Sequence, residues 1–253
     1  NGEATVDEKS LNIGIDESRF YFADTLWTVN ESSKINYINK KLSTSIDLKT
    51  SSQNIAFAFE GNLKSNVIDI DISNFEFDNL SPWLSKIKSS INGRLNGHFN
   101  HVLENNIQLL NSSILTSELV LNDYLFGVLS IDISSDSQSN IQNLEGFVYK
   151  NNQQTLDFSG TYMPNLDSNN FSVAMDIFDF DMRHLRSYLD VVVSDLKGKG
   201  LGYLIFNGDL SKPEFEGELI VDDLALSVSY LNTKFNAIDN SILRLSNKYI
   251  EFK

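Results

Sequence analysis

The sequence predicts a mainly β protein of repeated strands with two short amphipathic helices. Apolar and polar residues alternate at period two through most of the 253 residues, as they do in strands with one dry face and one wet face. One unit also occurs twice: F-E-F-D at residues 75–78 returns as F-D-F-D at residues 178–181, which is 103 residues later (178 − 75). A long, repetitive chain of strands favours an extended surface over a compact catalytic pocket.

Composition narrows the class of partner. The chain carries 20 Lys and Arg against 34 Asp and Glu, a formal net charge of −14. Proteins that follow phosphate backbones need the opposite sign, so no nucleic acid is expected as a partner. The chain has 0 cysteines, which excludes disulfides, thiolate metal sites and a cysteine nucleophile. With 41% hydrophobic residues, among them 17 Phe, the chain is too apolar for disorder.

Seven alternating runs are the clearest strands, and the apolar members of each run share one face. In chain order they are Leu42, Thr44, Ile46 and Leu48; Ile55, Phe57 and Phe59; Ile68, Ile70 and Ile72; Leu129, Ile131 and Ile133; Leu156, Phe158 and Tyr162; Phe171, Val173, Met175 and Ile177; and Leu224, Leu226, Val228 and Tyr230. Polar clusters between them, such as residues 151–152 and 165–170, predict turns. Alternation of this kind excludes a parallel α/β sheet, whose strands are apolar on both faces.

Two amphipathic stretches predict short helices at residues 81–91 and 182–196. The first begins with Ser81 as N-cap and Pro82 at the first helical position, and its apolar face is formed by Trp83, Leu84, Ile87 and Ile91. The second has an apolar stripe formed by Met182, Leu185, Leu189, Val193 and Leu196. Each helix can either gate the dry face of the sheet or plug it. The plug is the favoured role, because nothing in either helix suggests motion.

Glycines after each helix extend the repeat. Gly93 and Gly97 correspond to Gly198 and Gly202, which lie 105 residues later (198 − 93), so the second helix is expected to hold two extra residues. The chain then divides into a segment of strands at residues 1–74, a first repeat at residues 75–177 and a second repeat at residues 178–253. Both ends are expected to be truncated. No run approaches the ~18 apolar residues of a membrane span, so any anchor is expected outside this chain.

The strands after the second helix carry a resemblance to a known family. Residues 198–217 read G-K-G-L-G-Y-L-I-F-N-G-D-L-S-K-P-E-F-E-G, in which a helix exit and a strand precede a G-x-L-x-x-P-x-x-x-G hairpin. Its structural positions are Gly198, Gly200, Gly202, Gly208, Pro213 and Gly217. This pattern resembles the repeat of the AsmA-like family, and residues 230–235, 242–245 and 250–252 resemble the version found in Bacteroidetes-type bacteria. The resemblance is densest at residues 178–252, and the first repeat lacks the hairpin.

The resemblance implies a fold and a function. AsmA-like proteins are elongated, curled β-sheet grooves (β-tacos) whose concave face is apolar and whose outer face is polar. They conduct phospholipids between the inner and outer membranes, with the acyl chains held in the groove. The resemblance therefore implies a periplasmic segment of a Gram-negative protein that is anchored in the inner membrane by another segment. It also implies that the full-length protein meets an outer-membrane barrel of the Omp85 class.

Ten apolar strand residues are the candidates for a lipid-lining surface: Phe57, Phe59, Ile70, Ile131, Phe158, Val173, Met175, Leu226, Val228 and Tyr230. Alternation alone favours plain core packing in a closed sandwich for all of them. Only the resemblance favours a groove. The alternative function is therefore a structural or adhesive β-repeat protein with a closed, packed core.

Histidines and carboxylates predict neither a catalytic site nor a metal site. His98 and His101 are three residues apart in a strand-like stretch, so they are expected on opposite faces. His184 lies on the second predicted helix beside arginines and is expected to be satisfied or solvated. Asp69 and Asp71 share one face, but the spacing of a calcium loop and its glycine are missing. The chain is therefore not expected to be an enzyme or to bind a cofactor.

Overall fold

A computed structural model describes residues 2–7, 9–80, 90–105, 107–136, 138–188, 193–228, 233–236 and 240–252. The strands are β1 (Gly2–Asp7), β2 (Ser10–Ile15), β3 (Ser18–Phe22), β4 (Thr25–Val29), β5 (Lys34–Ile38), β6 (Lys41–Lys49), β7 (Asn54–Gly61), β8 (Ser65–Glu76), β9 (Ile91–Glu104), β10 (Ile107–Leu121), β11 (Tyr124–Asp136), β12 (Ile141–Lys150), β13 (Gln153–Tyr162), β14 (Phe171–Asp181), β15 (Val193–Asp209), β16 (Lys212–Val228), β17 (Thr233–Asn236), β18 (Ser241–Ser246) and β19 (Ile250–Phe252). Two 3₁₀ segments follow β8 and β14, at Phe77–Leu80 and Met182–Tyr188. The protein is therefore mainly β, as the alternation predicts.

One antiparallel sheet contains all 19 strands. From β5 to β16 each strand pairs with the next strand in the chain. At the start, β1 pairs with β2 and β2 with β5, while the β3–β4 hairpin joins the end of β6 through β4. At the other end, β16 pairs with both β17 and β18, and β18 pairs with β19. Within the described residues the sheet stays open, because β1 and β19 each pair with one strand only.

Asparagine and aspartate explain why consecutive strands are joined so tightly. Four hairpins close through two residues that both have positive φ: Ala23–Asp24, Asn39–Lys40, Asn122–Asp123 and Asn151–Asn152. Such turns twist in the same sense as the strands they join. Asn and Asp tolerate this left-handed conformation better than other residues with a side chain. The predicted turn at residues 151–152 is confirmed.

The predicted helix at residues 182–196 is wrong. The chain forms a 3₁₀ segment only as far as Tyr188, and by Val193 it has entered β15. There Val193 pairs with Val228, and Leu196 pairs with Leu226. The apolar spacing misled the prediction because Met182 and Leu185 are three residues apart, which places them on one side of a 3₁₀ turn as well as of an α-helix.

The first predicted helix is not supported by the described residues either. Four residues, Phe77–Leu80, form a 3₁₀ segment, and Ile91 opens strand β9. The other residues named for this helix lie outside the described residues: Ser81, Pro82, Trp83, Leu84 and Ile87. No α-helix is present in the parts of the chain that the structure describes.

The internal repeat is a structural repeat with a constant offset. A β-bulge interrupts β8 between Ile72 and Phe75, and an equivalent bulge interrupts β14 between Ile177 and Phe180. Ile72 pairs with Gly97, and Ile177 pairs with Gly202. These positions differ by 105 residues (177 − 72), and the starts of the two 3₁₀ segments differ by the same number (182 − 77).

The constant offset corrects the expected alignment of the two copies. Phe75 corresponds to Phe180 rather than to Phe178, so no extra residues separate the bulge from the glycines. The similarity continues into the next strand. Glu118 in β10 and Asp223 in β16 both have positive φ, at 47° and 51°, and they are again 105 residues apart (223 − 118). The repeat boundaries at residues 75 and 178 lie inside β8 and β14, through which the sheet is continuous.

Candidate functional site

Cross-strand register places the predicted lining residues on a single face of the sheet. Phe57 pairs with Ile70, Phe158 pairs with Met175, and both pairs belong to rows of apolar residues that cross the sheet. The nine described candidates all lie on this face, which we call the apolar face: Phe57, Phe59, Ile70, Ile131, Phe158, Val173, Met175, Leu226 and Val228. Tyr230, the tenth, lies outside the described residues.

Four rows of paired residues cross the apolar face, and most of the buried side chains lie in the row at one end of the strands, although Val173 in the second row is also buried. The outermost row includes Thr44, Phe59, Ile68, His101 and Leu110, and all five are partly exposed. The next row includes Ile46, Phe57, Ile70 and Phe99, and the third includes Ile55, Ile72, Ile114 and Ile131; these are also partly exposed. The fourth row includes Phe75, Val148, Leu156, Ile177 and Leu219, which are buried.

The two ends of the strands therefore differ in character. We call the end that holds the fourth row and both 3₁₀ segments the sealed rim, and the opposite end the open rim. Seven of the nine described candidates are partly exposed, whereas Val173 and Val228 are buried at 3% and 9% exposure. A fully packed core leaves little room beside such side chains, so these two valines belong to the core more than to an accessible lining.

The second 3₁₀ segment covers the sealed rim. Met182 is 1% exposed and belongs to a buried cluster that also contains Val148, Leu156, Ile177, Leu196, Leu219, Val221, Leu224 and Leu243. Leu185 packs against the same cluster. The predicted plugging role fits this arrangement in part, since the segment buries apolar surface, although it does so as a 3₁₀ turn rather than as a helix.

His184 is buried in the sealed rim, although the sequence suggested an ordinary satisfied or solvated histidine. Its ring is 5% exposed and meets the rings of Tyr124, Phe126 and Phe180 at centroid distances of 6.3, 5.3 and 5.8 Å. Its Nδ1 atom is buried and has no hydrogen-bond partner within the described residues. Burial lowers the pKa of His184, and the nearby charges of Lys150 and Arg183 lower it further.

Beside this ring lies the carboxylate of the last residue of β14. Asp181 is 5% exposed and accepts hydrogen bonds from Arg183 at its backbone N–H and its guanidinium. Burial opposes ionisation of this carboxyl, but the bonds and charge of Arg183 outweigh it and hold the pKa of Asp181 below its usual value. The same guanidinium stacks over the ring of Tyr124, 4.4 Å from its centroid.

A second polar corner occupies the equivalent place in the first repeat. Asn79 is 2% exposed, and its Nδ2 donates to Oε1 of Gln53 at 2.8 Å. The same oxygen accepts from the backbone N–H of Glu76 at 3.0 Å. Asn79 and His184 are 105 residues apart (184 − 79), so both copies bury a polar side chain just after the bulge. Sequence reasoning missed this pair because it used an offset of 103 residues here.

The family-motif residues shape β15 and β16. Gly208 and Pro213 face each other across a tight turn formed by residues 210–211, so the predicted hairpin is confirmed, with its proline in β16 rather than in the turn. Gly198 has a φ of +135°, and a Cβ there would lie 2.9 Å from Cγ1 of Val221. Gly202 and Gly217 lie on the apolar face, where a Cβ would meet the backbone of the neighbouring strand within 2.0–2.3 Å. A Cβ at Gly200 would lie 3.5 Å from the sulfur of Met182.

The outer face carries acids such as Asp69 and Asp157 beside exposed apolar side chains such as Phe147 and Tyr203. Among the described residues, one cluster of potential ligand groups lies on it. Asp69, Asp71 and His98 present their carboxylate and ring atoms within 4.8 Å of one another. The ring Nδ1 of His98 lies 2.8 Å from Oδ1 of Asp71, and this bond raises the pKa of His98. His101 pairs with Ile68 on the apolar face, which confirms that the two histidines lie on opposite faces. The cluster is explained as an ion pair on the solvated face.

Within the described residues, no helix has the length and apolar character that crossing a membrane requires. Comparison of the chain with protein-family models, with curated proteins and with solved structures finds no match.

Proposed function

We propose that this chain is a segment of a TamB-type translocation and assembly module protein of the AsmA-like family. In this proposal the apolar face conducts phospholipids between the inner and outer membranes and so supports outer-membrane biogenesis and protein assembly. The full-length protein spans the periplasm, is anchored in the inner membrane outside this segment, and meets a TamA-like barrel of the Omp85 class. The observation that carries the proposal is a long apolar face that remains partly exposed along one rim.

Energetics favour a lipid on such a surface. Each methylene that leaves water contributes ~0.8 kcal/mol, so an acyl chain needs a dry lining along its whole path. The uninterrupted series β5–β16 contains 12 strands, which at ~4.8 Å per strand cover about 58 Å and exceed the ~30 Å of one hydrocarbon core. Apolar contact has no preferred direction, so neighbouring positions hold a sliding chain about equally.

A structural β-repeat protein with a packed core is the second candidate, and one observation favours it. The buried cluster around Met182 and Leu219 has the burial expected of a closed core. That cluster is confined to the sealed rim and the strands from β12 onward. The residues of the open rim between β6 and β11, such as Phe59 and Ile70, remain partly exposed.

Mass spectrometry of gently purified protein separates the two candidates. The proposal expects co-purifying phospholipid in the wild-type protein. It expects that lipid to be lost from a Phe57→Asn/Phe59→Asn variant, which puts polar groups on the apolar face of β7. The matched control is Ala56→Asn/Ala58→Asn on the other face of the same strand, which should keep the lipid. Lipid-free wild-type protein, or equal lipid in both variants, would reject the conduit.

A further inference from the structure

A pocket at the tip of the first strands combines an apolar floor with positive charge. Its volume is about 600 Å³, and its lining includes Val6, Leu11 and Tyr37 together with Lys9 and Lys40. Val6 pairs with Leu11, and Leu11 pairs with Tyr37, so the three apolar side chains share one face of the sheet. Val6 is 75% exposed and Tyr37 is 45% exposed.

The floor of this pocket continues into the apolar face. Tyr37 pairs with Leu42 of β6, and Leu42 shares its face with Thr44, Ile46 and Leu48. A path along β6 from Leu42 to Leu48 covers six residues and hence about 20 Å. One leaflet of a bilayer occupies half of a ~30 Å hydrocarbon core, so this path is long enough for one acyl chain.

Lys9 and Lys40 line the pocket where two turns meet. The backbone N–H of Asn39 donates to the carbonyl of Lys9 at 3.2 Å, which ties the β1–β2 turn to the β5–β6 turn. No ion pair within the described residues occupies Lys9 or Lys40. Among the described lining residues, Asp7 supplies one carboxylate beside the two ammonium groups of Lys9 and Lys40.

The local charge contrasts with that of the whole chain. Residues 34–41 read K-I-N-Y-I-N-K-K, with three lysines and no acid, in a chain whose net charge is −14. We propose that Lys9 and Lys40 bind the phosphate of a phospholipid whose acyl chain lies along the apolar side of β6. This site rests on the proposed lipid-conducting function and assigns one place where a lipid head group is held while its chains enter the groove.

Calorimetry with a short-chain lipid tests the site. The probe is dihexanoyl-phosphatidylglycerol below its micelle concentration, with inorganic phosphate and dihexanoylglycerol as the two half-ligands. We expect the lysine variant Lys9→Gln/Lys40→Gln to bind the phospholipid about threefold to tenfold more weakly than wild type, because two exposed charge contacts are lost. The matched control, Lys212→Gln/Lys248→Gln, removes two exposed lysines at the other end of the sheet and should bind like wild type.

The outcomes distinguish this site from the general function. Equal phospholipid binding by the lysine variant and the control overturns the head-group site and leaves the conduit standing. Inorganic phosphate that binds as tightly as the phospholipid overturns the assignment to a lipid. Protein that carries long-chain lipid on purification but does not bind the short-chain probe overturns the site alone, whereas lipid-free wild-type protein removes the conduit and the site together.

Discussion

At the scale of single residues, His184 combines deep burial with an unpaired ring nitrogen among the described residues. Its imidazole is enclosed by three aromatic rings, and its Nδ1 lacks a partner among the described residues. Asp181 favours the charged form of the ring, as does a hydrogen bond with the Leu121 backbone, but burial outweighs both. A neutral imidazole is therefore the form that stabilises the sealed rim at neutral pH.

Stability should depend on pH through this residue. Because the pKa of His184 is lowered on folding from its ordinary 6.5, its contribution is fully present above pH 6.5 and is lost as the pH falls below that value. Urea unfolding at a series of pH values would show this decline in the wild-type protein and a shallower decline in His184→Phe.

His98 is an internal control, because its contribution to stability should depend on pH in the opposite direction. The bond to Asp71 raises the pKa of His98, so its contribution is present below pH 6.5 and is lost as the pH rises through the raised value. A His98→Gln variant should therefore keep the acid-side loss that His184 causes. Identical pH profiles for wild type and His184→Phe would show that the buried ring does not control stability.

At the scale of elements, the bulge and the two glycines after it form the unit that the repeat preserves. Gly93 and Gly198 have φ values of +132° and +135°, and each lies opposite the bulge in the neighbouring strand that contains Glu118 or Asp223. Immediately beyond, Leu119 and Leu224 are buried at 6% and 3% exposure. The glycine lets the two backbones approach closely enough to seat these leucines in the sealed rim.

Replacing this glycine should destabilise the protein. Gly198→Ala forces a side chain into a conformation that costs about 1–3 kcal/mol and brings its Cβ against Val221 and the carbonyl of Asp222. Chemical denaturation should show a lower free energy of unfolding for this variant. Gly14→Ala is the control, because its Cβ would meet nothing closer than 4.0 Å, and it should stay within about 1 kcal/mol of wild type. Equal stability of the two variants would contradict this role for Gly198.

The elements that sequence predicted correctly are those whose signal is local. Alternation in β6, β7 and β8 gave both the strands and the faces, because a strand reverses its side chains at every residue. The apolar positions change parity between Ile72 and Phe75, and the structure shows a bulge there. The apolar stripe at residues 182–196 predicted a helix wrongly, because its residues are divided between a 3₁₀ segment and a strand. Only the pairing of Leu196 with Leu226 reveals that the chain has become a strand.

The sequence predicted which residues share the apolar face, but not how exposed each of them is. The sequence placed Phe57 and Val173 in the same class, yet one is partly exposed and the other is buried. Cross-strand register places both residues in the same row, so exposure changes across the sheet as well as along the strands, and alternation reports neither change. The equivalence of Asn79 and His184 was missed, although the offset of 105 residues between the two glycine pairs would have indicated it, and their burial is visible only in the structure.

At the scale of the whole molecule, the central question is whether the apolar face is accessible to a ligand. The chain has 0 cysteines, so a single introduced thiol reports on one position without background. We expect Phe57→Cys and Ile70→Cys to react with a water-soluble maleimide faster than Val148→Cys and Leu219→Cys, which replace residues that are 1% exposed. Equal protection of all four thiols would indicate a closed core and contradict an open rim.

The repeat also fixes how such a protein can change in length. From β8 to β14 the chain advances by six strands in 105 residues, so one copy adds about 29 Å at ~4.8 Å per strand. An even number of strands leaves the chain running in the same direction after each copy. Tandem duplication of this unit therefore preserves the direction of the edge strand and the side of the sheet on which the apolar residues lie. Molecules related by such duplication would differ in length by whole multiples of the distance that one copy adds.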